Sequence, residues 1–217
     1  MLQITKLHDS IDALQVKHGS KKLSAIYGAG CITAPELMLV FMNPTGKNVS
    51  AQVGWKGLRA PWLGTKNVWK ILYKLSLIPE CLYEQTQALN AADWTPDFAI
   101  RLYEGVAKRK IYITNLAKCT QDDARHVPDA VFRQYLPVMQ KEILAVNPKR
   151  IITFGNQVSS LLLQEAITVS NYAGLKKELL QIGKVSHDVY PVYYPVGQGQ
   201  RNTPLAIKRL QAIMQTI

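Results

Sequence analysis

Four short apolar runs rich in β-branched and aromatic residues punctuate the chain: Leu37 to Met42, Lys110 to Thr114, Arg150 to Phe154 and Asp188 to Tyr194. Their length and near-continuous hydrophobicity predict strands buried on both faces. Between them apolar positions recur at helical spacing, over Thr65 to Leu77 (Val68, Trp69, Leu72, Leu75), Thr95 to Ala107, Asp129 to Val146 and Asn156 to Gln164. Thr95-Pro96 and Thr203-Pro204 each pair a capping hydroxyl with a proline at the first helical position, and the second opens a last helix running to Met214. Strands alternating with helices call for βαβ crossovers, hence a parallel sheet covered on both faces. The predicted fold class is α/β, a three-layer α/β/α sandwich with a four-stranded, mainly parallel central sheet. Pro191 lacks a ladder donor and places the fourth run at a sheet edge. No repeat or Gly/Pro/Ser-rich linker divides the chain, so residues 1–217 are expected to form a single domain.

Charge changes the picture more than composition does. The 217 residues are 47% hydrophobic and 19% charged, ordinary values for a packed domain. Lysine and arginine number 26 against 15 acids, a formal charge of +11, which favours a polyanionic partner. The excess is also localised. Between Glu36 and Glu80 there is no acid, but Lys47, Lys56, Arg59, Lys66, Lys70 and Lys74 are present; after Asp188 come only Arg201, Lys208 and Arg209. Both segments follow strand ends, where a basic rim would attract a phosphate backbone, and an ordinary solvated surface is the alternative. Cys31, Cys81 and Cys119 are widely spaced and form no C-x-x-C pair, so neither a disulfide framework nor a zinc site is expected. The charged start and the lack of any bilayer-length apolar stretch predict a cytoplasmic protein without a membrane segment.

Open parallel sheets bind ligands outside the carboxyl ends of their strands. Here those ends are rich in amides: Asn43-Pro44-Thr45-Gly46, Thr114-Asn115, Gly155-Asn156, and Tyr194 through Asn202. By local sequence alone Asn43 also reads as an Asn-Pro turn, Asn115 as a strand-end cap and Trp62 as a core or loop anchor.

Met42-Asn43-Pro44 resembles the first active-site motif of the mismatch-specific and single-strand-selective branches of the uracil-DNA glycosylase superfamily. Ala60-Pro61-Trp62-Leu63-Gly64 is similar to the segment that supplies a base-stacking aromatic in its iron–sulfur branch. Ile111 to Cys119 resembles that branch's Tyr-Ile-Thr-Asn-Val-Val-Lys-Cys, and Arg150 to Gly155 its following strand and turn. The resemblance implies a DNA glycosylase acting on uracil or a related deaminated base that has left the stack, with DNA containing such a base as partner; a monomer is the expected form, although nothing in the sequence fixes an oligomer. It implies that Asn43 holds the attacking water through its carbonyl and that Asn115 reads the pyrimidine edge with one donor and one acceptor. Trp62 would stack on the base, and Phe41 is a further base-binding candidate that would pack on the ligand, with filling of the core as its alternative. Gln198, Gln200 and Arg201 would lie in the loop that enters the minor groove, and Lys47 and Lys66 on the phosphate-binding rim.

The chain also departs from the pattern. Where most branches have a His-Pro-Ser triplet whose histidine stabilises the departing base, it has Tyr194-Pro195-Val196, making Tyr194 the second catalytic candidate. A phenol donates one hydrogen bond but stays neutral. His187 falls about 23 Å away if it begins the same strand at ~3.3 Å per residue, which leaves His126 as the other histidine candidate. Phe41 and Thr45 replace glycines, and only Cys119 of the four cluster cysteines is present, with Phe132 at another, so no iron–sulfur cluster and no other cofactor or metal is expected. Two alternatives stay open. One is a noncatalytic nucleic-acid-binding member of the fold. The other is a nucleotide-binding α/β hydrolase using Gly197-Gln198-Gly199, although that segment lacks the remaining residues of a phosphate-binding fingerprint.

Overall fold

The computed structural model describes residues 4–124 and 127–216. The chain opens with α1 (His8–His18) and the short edge strand β1 (Ala29–Gly30), then enters the sheet centre with β2 (Leu37–Phe41). Three helices follow, α2 (Asn67–Lys74), α3 (Glu80–Ala88) and α4 (Pro96–Lys108), before β3 (Ile111–Asn115). Next come α5 (Asp129–Val146), β4 (Arg150–Phe154), α6 (Asn156–Leu163), the hairpin β5 (Glu178–Ile182) and β6 (Val185–Val192), and finally α7 (Thr203–Met214). Among the described residues no helix is long and apolar enough to cross a membrane.

The six-stranded sheet has the order β1-β3-β2-β4-β6-β5. Its centre, β3-β2-β4-β6, is parallel throughout, and the two outer strands are antiparallel. The predicted sheet is therefore its core, widened by β1 and β5. β5 escapes sequence reading because it is short and alternates buried and exposed residues; the Gly183-Lys184 turn, with Gly183 at φ +59°, was the available hairpin signal. α1 and α3 are missed because they bury few residues, Ile11 and Gln15 in one and Thr86 in the other.

The placement of the fourth run at an edge is corrected. β6 lies between β4 and β5, and Pro191 pairs in register with Thr153. The proline fits because the β5 ladder stops at the Glu178–Val189 pair, one turn of the pleat before it. Val192 accepts from the Gly155 N–H on the β4 side, so the backbone groups of Pro191 face the other way. There its carbonyl accepts from Arg209 Nε at 2.7 Å.

Strand parity decides which layer each side chain joins. Leu37, Leu39, Phe41, Ile111, Ile113, Ile152 and Phe154 pack with the apolar faces of α2, α4 and α7. Met38, Val40, Tyr112 and Ile151 pack instead with α5 and α6. The two apolar layers account for the continuous hydrophobicity of the runs. Arg209, counted by sequence with the basic rim, belongs to this interior: it is 5% exposed and also donates to the Gly174 and Lys176 carbonyls.

His187 sits near the start of β6 at 4% exposure, with Nε2 buried and unpartnered among the described residues. Burial pulls its pKa below the usual value, and the Pro148 carbonyl only partly opposes this. The unfolded chain thus binds a proton that the folded chain refuses, so stability contributed by neutral His187 is present above about pH 6.5 and is lost as pH falls below it. Urea denaturation at several pH values should show His187→Leu losing less stability than the parent across that window.

Candidate functional site

The parallel pairing of β2 with β3 ends on the Phe41–Asn115 register, and the chain beyond keeps it going. Leu116 N–H donates to the Phe41 carbonyl at 2.7 Å and Ala117 N–H to that of Met42 at 3.0 Å. This carries Asn43 and Asn115 to one carboxyl edge, at the strand where the order of the parallel strands reverses direction. Gln121 fixes the next turn, donating its N–H to the Pro44 carbonyl at 3.1 Å and accepting from Gly46 at 2.8 Å.

A cavity of about 320 Å³ opens there, and Asn43, Asn115, Trp62, Tyr194, Lys47 and Lys66 all line it. That is at the lower end of small-molecule sites, which run to roughly 300–1,000 Å³. Asn43 donates its Nδ2 to the Pro44 carbonyl at 3.1 Å. The amide is thereby oriented, and its carbonyl oxygen is left as the free acceptor. Asn115 is only 3% exposed, yet among the described residues nothing hydrogen-bonds its carboxamide. The amide therefore faces the cavity, where a ligand offering a donor and an acceptor can pair with it.

The aromatic wall is held from behind. Trp62 has a left-handed backbone, φ +66°. Its carbonyl accepts from Trp69 Nε1 at 3.1 Å and from the Thr65 hydroxyl at 2.7 Å. Its own Nε1 is buried and unpartnered among the described residues. Phe41 does not line the cavity. At 2% exposure it stacks on Phe154 (centroids 4.3 Å apart) and meets Trp62 edge-on at 4.9 Å, so it backs the wall. β2 parity explains the difference: Phe41 points into the apolar layer, and Asn43, two residues later, clears it. Tyr194 sits over Gly155, whose φ of +88° strains any other residue. Burial pushes the Tyr194 phenol up to about 12, so it is neutral, and its hydroxyl has no protein partner among the described residues.

The other candidates separate. Gln198 and Arg201 line a neighbouring groove with Met42, Asn156 and Tyr193, and Gln200 faces a different groove between α2 and α7 with Lys70, Lys74 and Lys208. Lys66 Nζ donates to the Gln87 carbonyl at 2.5 Å, so its ammonium is partly committed to the end of α3. His187, in the opposite half of β6, is far from the cavity, and His126 lies outside the described residues. Sequence reading passed over Asn48, Thr65 and Asn67, which also line the cavity. Asn48 donates to the Ala60 carbonyl at 2.8 Å and accepts from the Ser50 N–H at 3.0 Å and hydroxyl at 2.8 Å. It ties the turn after β2 to the Trp62 segment, and only the fold reveals that role.

The family model of the uracil DNA glycosylase superfamily matches residues 28–216. The chain belongs to this superfamily. No curated protein matches it. Membership agrees with the α/β architecture, and it carries a glycosylase-like function on DNA in general terms. The iron–sulfur cluster of one branch finds no donor set here. Cys119 is buried in the same apolar cluster as Phe132, and among the described residues no three His, Cys, Asp or Glu side chains are grouped to hold a metal.

Proposed function

We propose that this superfamily member hydrolyses the N-glycosidic bond of uracil or a related deaminated base in DNA. The observation that carries the reading is the 3% exposed Asn115, whose carboxamide has no protein hydrogen bond among the described residues, in the wall of a cavity that Asn43 shares. An extruded base in that cavity would pair its adjacent carbonyl and N–H with Asn115 and stack on Trp62. The Asn43 carbonyl would orient a water toward the sugar. Being an amide, it is a weak base, so the bond to the leaving base must largely break before attack. Tyr194 would donate its hydroxyl to the departing base, a neutral hydrogen bond in place of a cation.

The test is release of free base from single- and double-stranded oligonucleotides carrying uracil, hypoxanthine or xanthine. The parent should release at least one of these. Tyr194→Phe should slow release about tenfold, the factor that one lost hydrogen bond carries. The neutral Tyr194 also favours a second reading, a noncatalytic binder of damaged DNA. Binding without release over a wide range of enzyme concentration would establish that reading, and absence of binding at low salt would end both.

Lys47 at the cavity and Lys70 and Lys74 along α2 make no ion pair among the described residues. Each one that contacts phosphate releases counterions. Replacing it with glutamine should therefore reduce the slope of log K against log salt by about 0.9 on duplex or about 0.7 on single strands, as measured by fluorescence anisotropy.

A further inference from the structure

Directly behind Asn115, on the opposite face of the sheet, lies an ion pair that the proposed chemistry does not use. Lys118 Nζ approaches Glu142 Oε2 to 2.7 Å, and the two side chains are 1% and 2% exposed. The ammonium donates to the Thr114 hydroxyl at 2.8 Å and to the backbone carbonyl of Asn115 at 2.6 Å, while Glu142 Oε2 is held by charge alone and accepts no hydrogen bond among the described residues. Glu142 Oε1 accepts from the Tyr112 hydroxyl at 2.8 Å and the Thr114 hydroxyl at 3.0 Å. A Cβ at Gly28 would collide with both Tyr112 and Glu142, so glycine there keeps room for the cluster.

Burying two charges costs desolvation that their attraction barely recovers, and an apolar pair of similar volume fills such a site at least as well. The geometry offers a different reason for the pair. Asn115 ends β3, and its carboxamide has no protein hydrogen bond of its own among the described residues, so its direction depends on its backbone and rotamer. Parity sends Tyr112 and Thr114 toward α5 and Asn115 toward the cavity. Lys118 reaches back from the following loop and grips the Asn115 peptide, while Glu142 on α5 anchors Lys118. We propose that Lys118 and Glu142 are positioning residues for Asn115, an inference that rests on the base-reading role given above to that carboxamide.

The variant to test is Lys118→Met/Glu142→Gln. It removes both charges together, so none is stranded, and keeps an acceptor for Tyr112 and Thr114. Thermal unfolding first establishes that it folds cooperatively. The preference for a uracil-containing oligonucleotide over the same strand with cytosine is then measured as a ratio of dissociation constants. In the parent background the double substitution should reduce that ratio about tenfold; in an Asn115→Ala background it should change nothing further. An unchanged ratio in the folded parent-background variant, or an equal loss without Asn115, overturns the proposal. NMR of the Asn115 side-chain amide separates this from failure of the base-reading role. If the parent shows no preference, that role falls; positioning then stands if the amide signals shift or broaden in the double variant and falls if they do not.

Discussion

Asn43→Ala should abolish measurable base release, slowing single-turnover cleavage by about a hundredfold or more, because losing the group that aligns an attacking water forfeits most of the advantage of orientation. The expectation follows from how the amide is held. One Nδ2 hydrogen is committed to the Pro44 carbonyl, which fixes the amide and leaves its carbonyl oxygen to accept from a water, and alanine leaves nothing in that place. Binding should survive, since Trp62, Asn115 and the lysines remain. Asn43 is partly exposed and its side chain makes one local bond among the described residues, so stability should change by no more than about 0.5 kcal/mol. Asn43→Asp provides the contrast: a carboxylate accepts a proton from water more readily, so its rate should equal or exceed the parent's near neutral pH. Equal release by Asn43→Ala and the parent would remove Asn43 from the mechanism.

The largest expected stability effect lies at Lys118 and Glu142. Lys118→Met leaves a carboxylate buried without its cation and the carbonyl of Asn115 without its donor, and Glu142→Ala strands the ammonium; each should cost about 3–5 kcal/mol. Burial already draws the Lys118 pKa down, with Glu142 opposing that shift, so removal of Glu142 takes away what keeps the ammonium charged. Urea unfolding measures both single variants. The paired Lys118→Met/Glu142→Gln substitution should recover most of the loss, since no charge remains unpartnered and the two hydroxyls keep an acceptor. A paired variant as unstable as either single one would show that the charges hold the fold together.

Most of the architecture was legible because a strand buried on both faces leaves a continuous apolar run and a packed helix leaves a periodic one. The four central strands and five of the helices follow from those two patterns. β5 and α3 did not, because elements at the margin bury too little to leave a pattern. The Pro191 inference failed for a related reason. A proline excludes a central position only where both sides of the strand are paired, and here one side was already open.

For the site, sequence alone placed amides at the carboxyl ends of the strands and marked the segments lacking acids, since covalent order fixes which residues follow each strand. It named Asn43, Asn115, Trp62 and Tyr194 through their position and their motifs. Only the tertiary structure decided that these four share one cavity, that Phe41 stands behind it and that Arg209 serves the interior. Only it showed Lys118, paired with Glu142 behind the sheet, donating to the Asn115 carbonyl. Those outcomes depend on strand order, on the parity of each side chain and on which polar group finds a partner, and each is settled by residues distant along the chain.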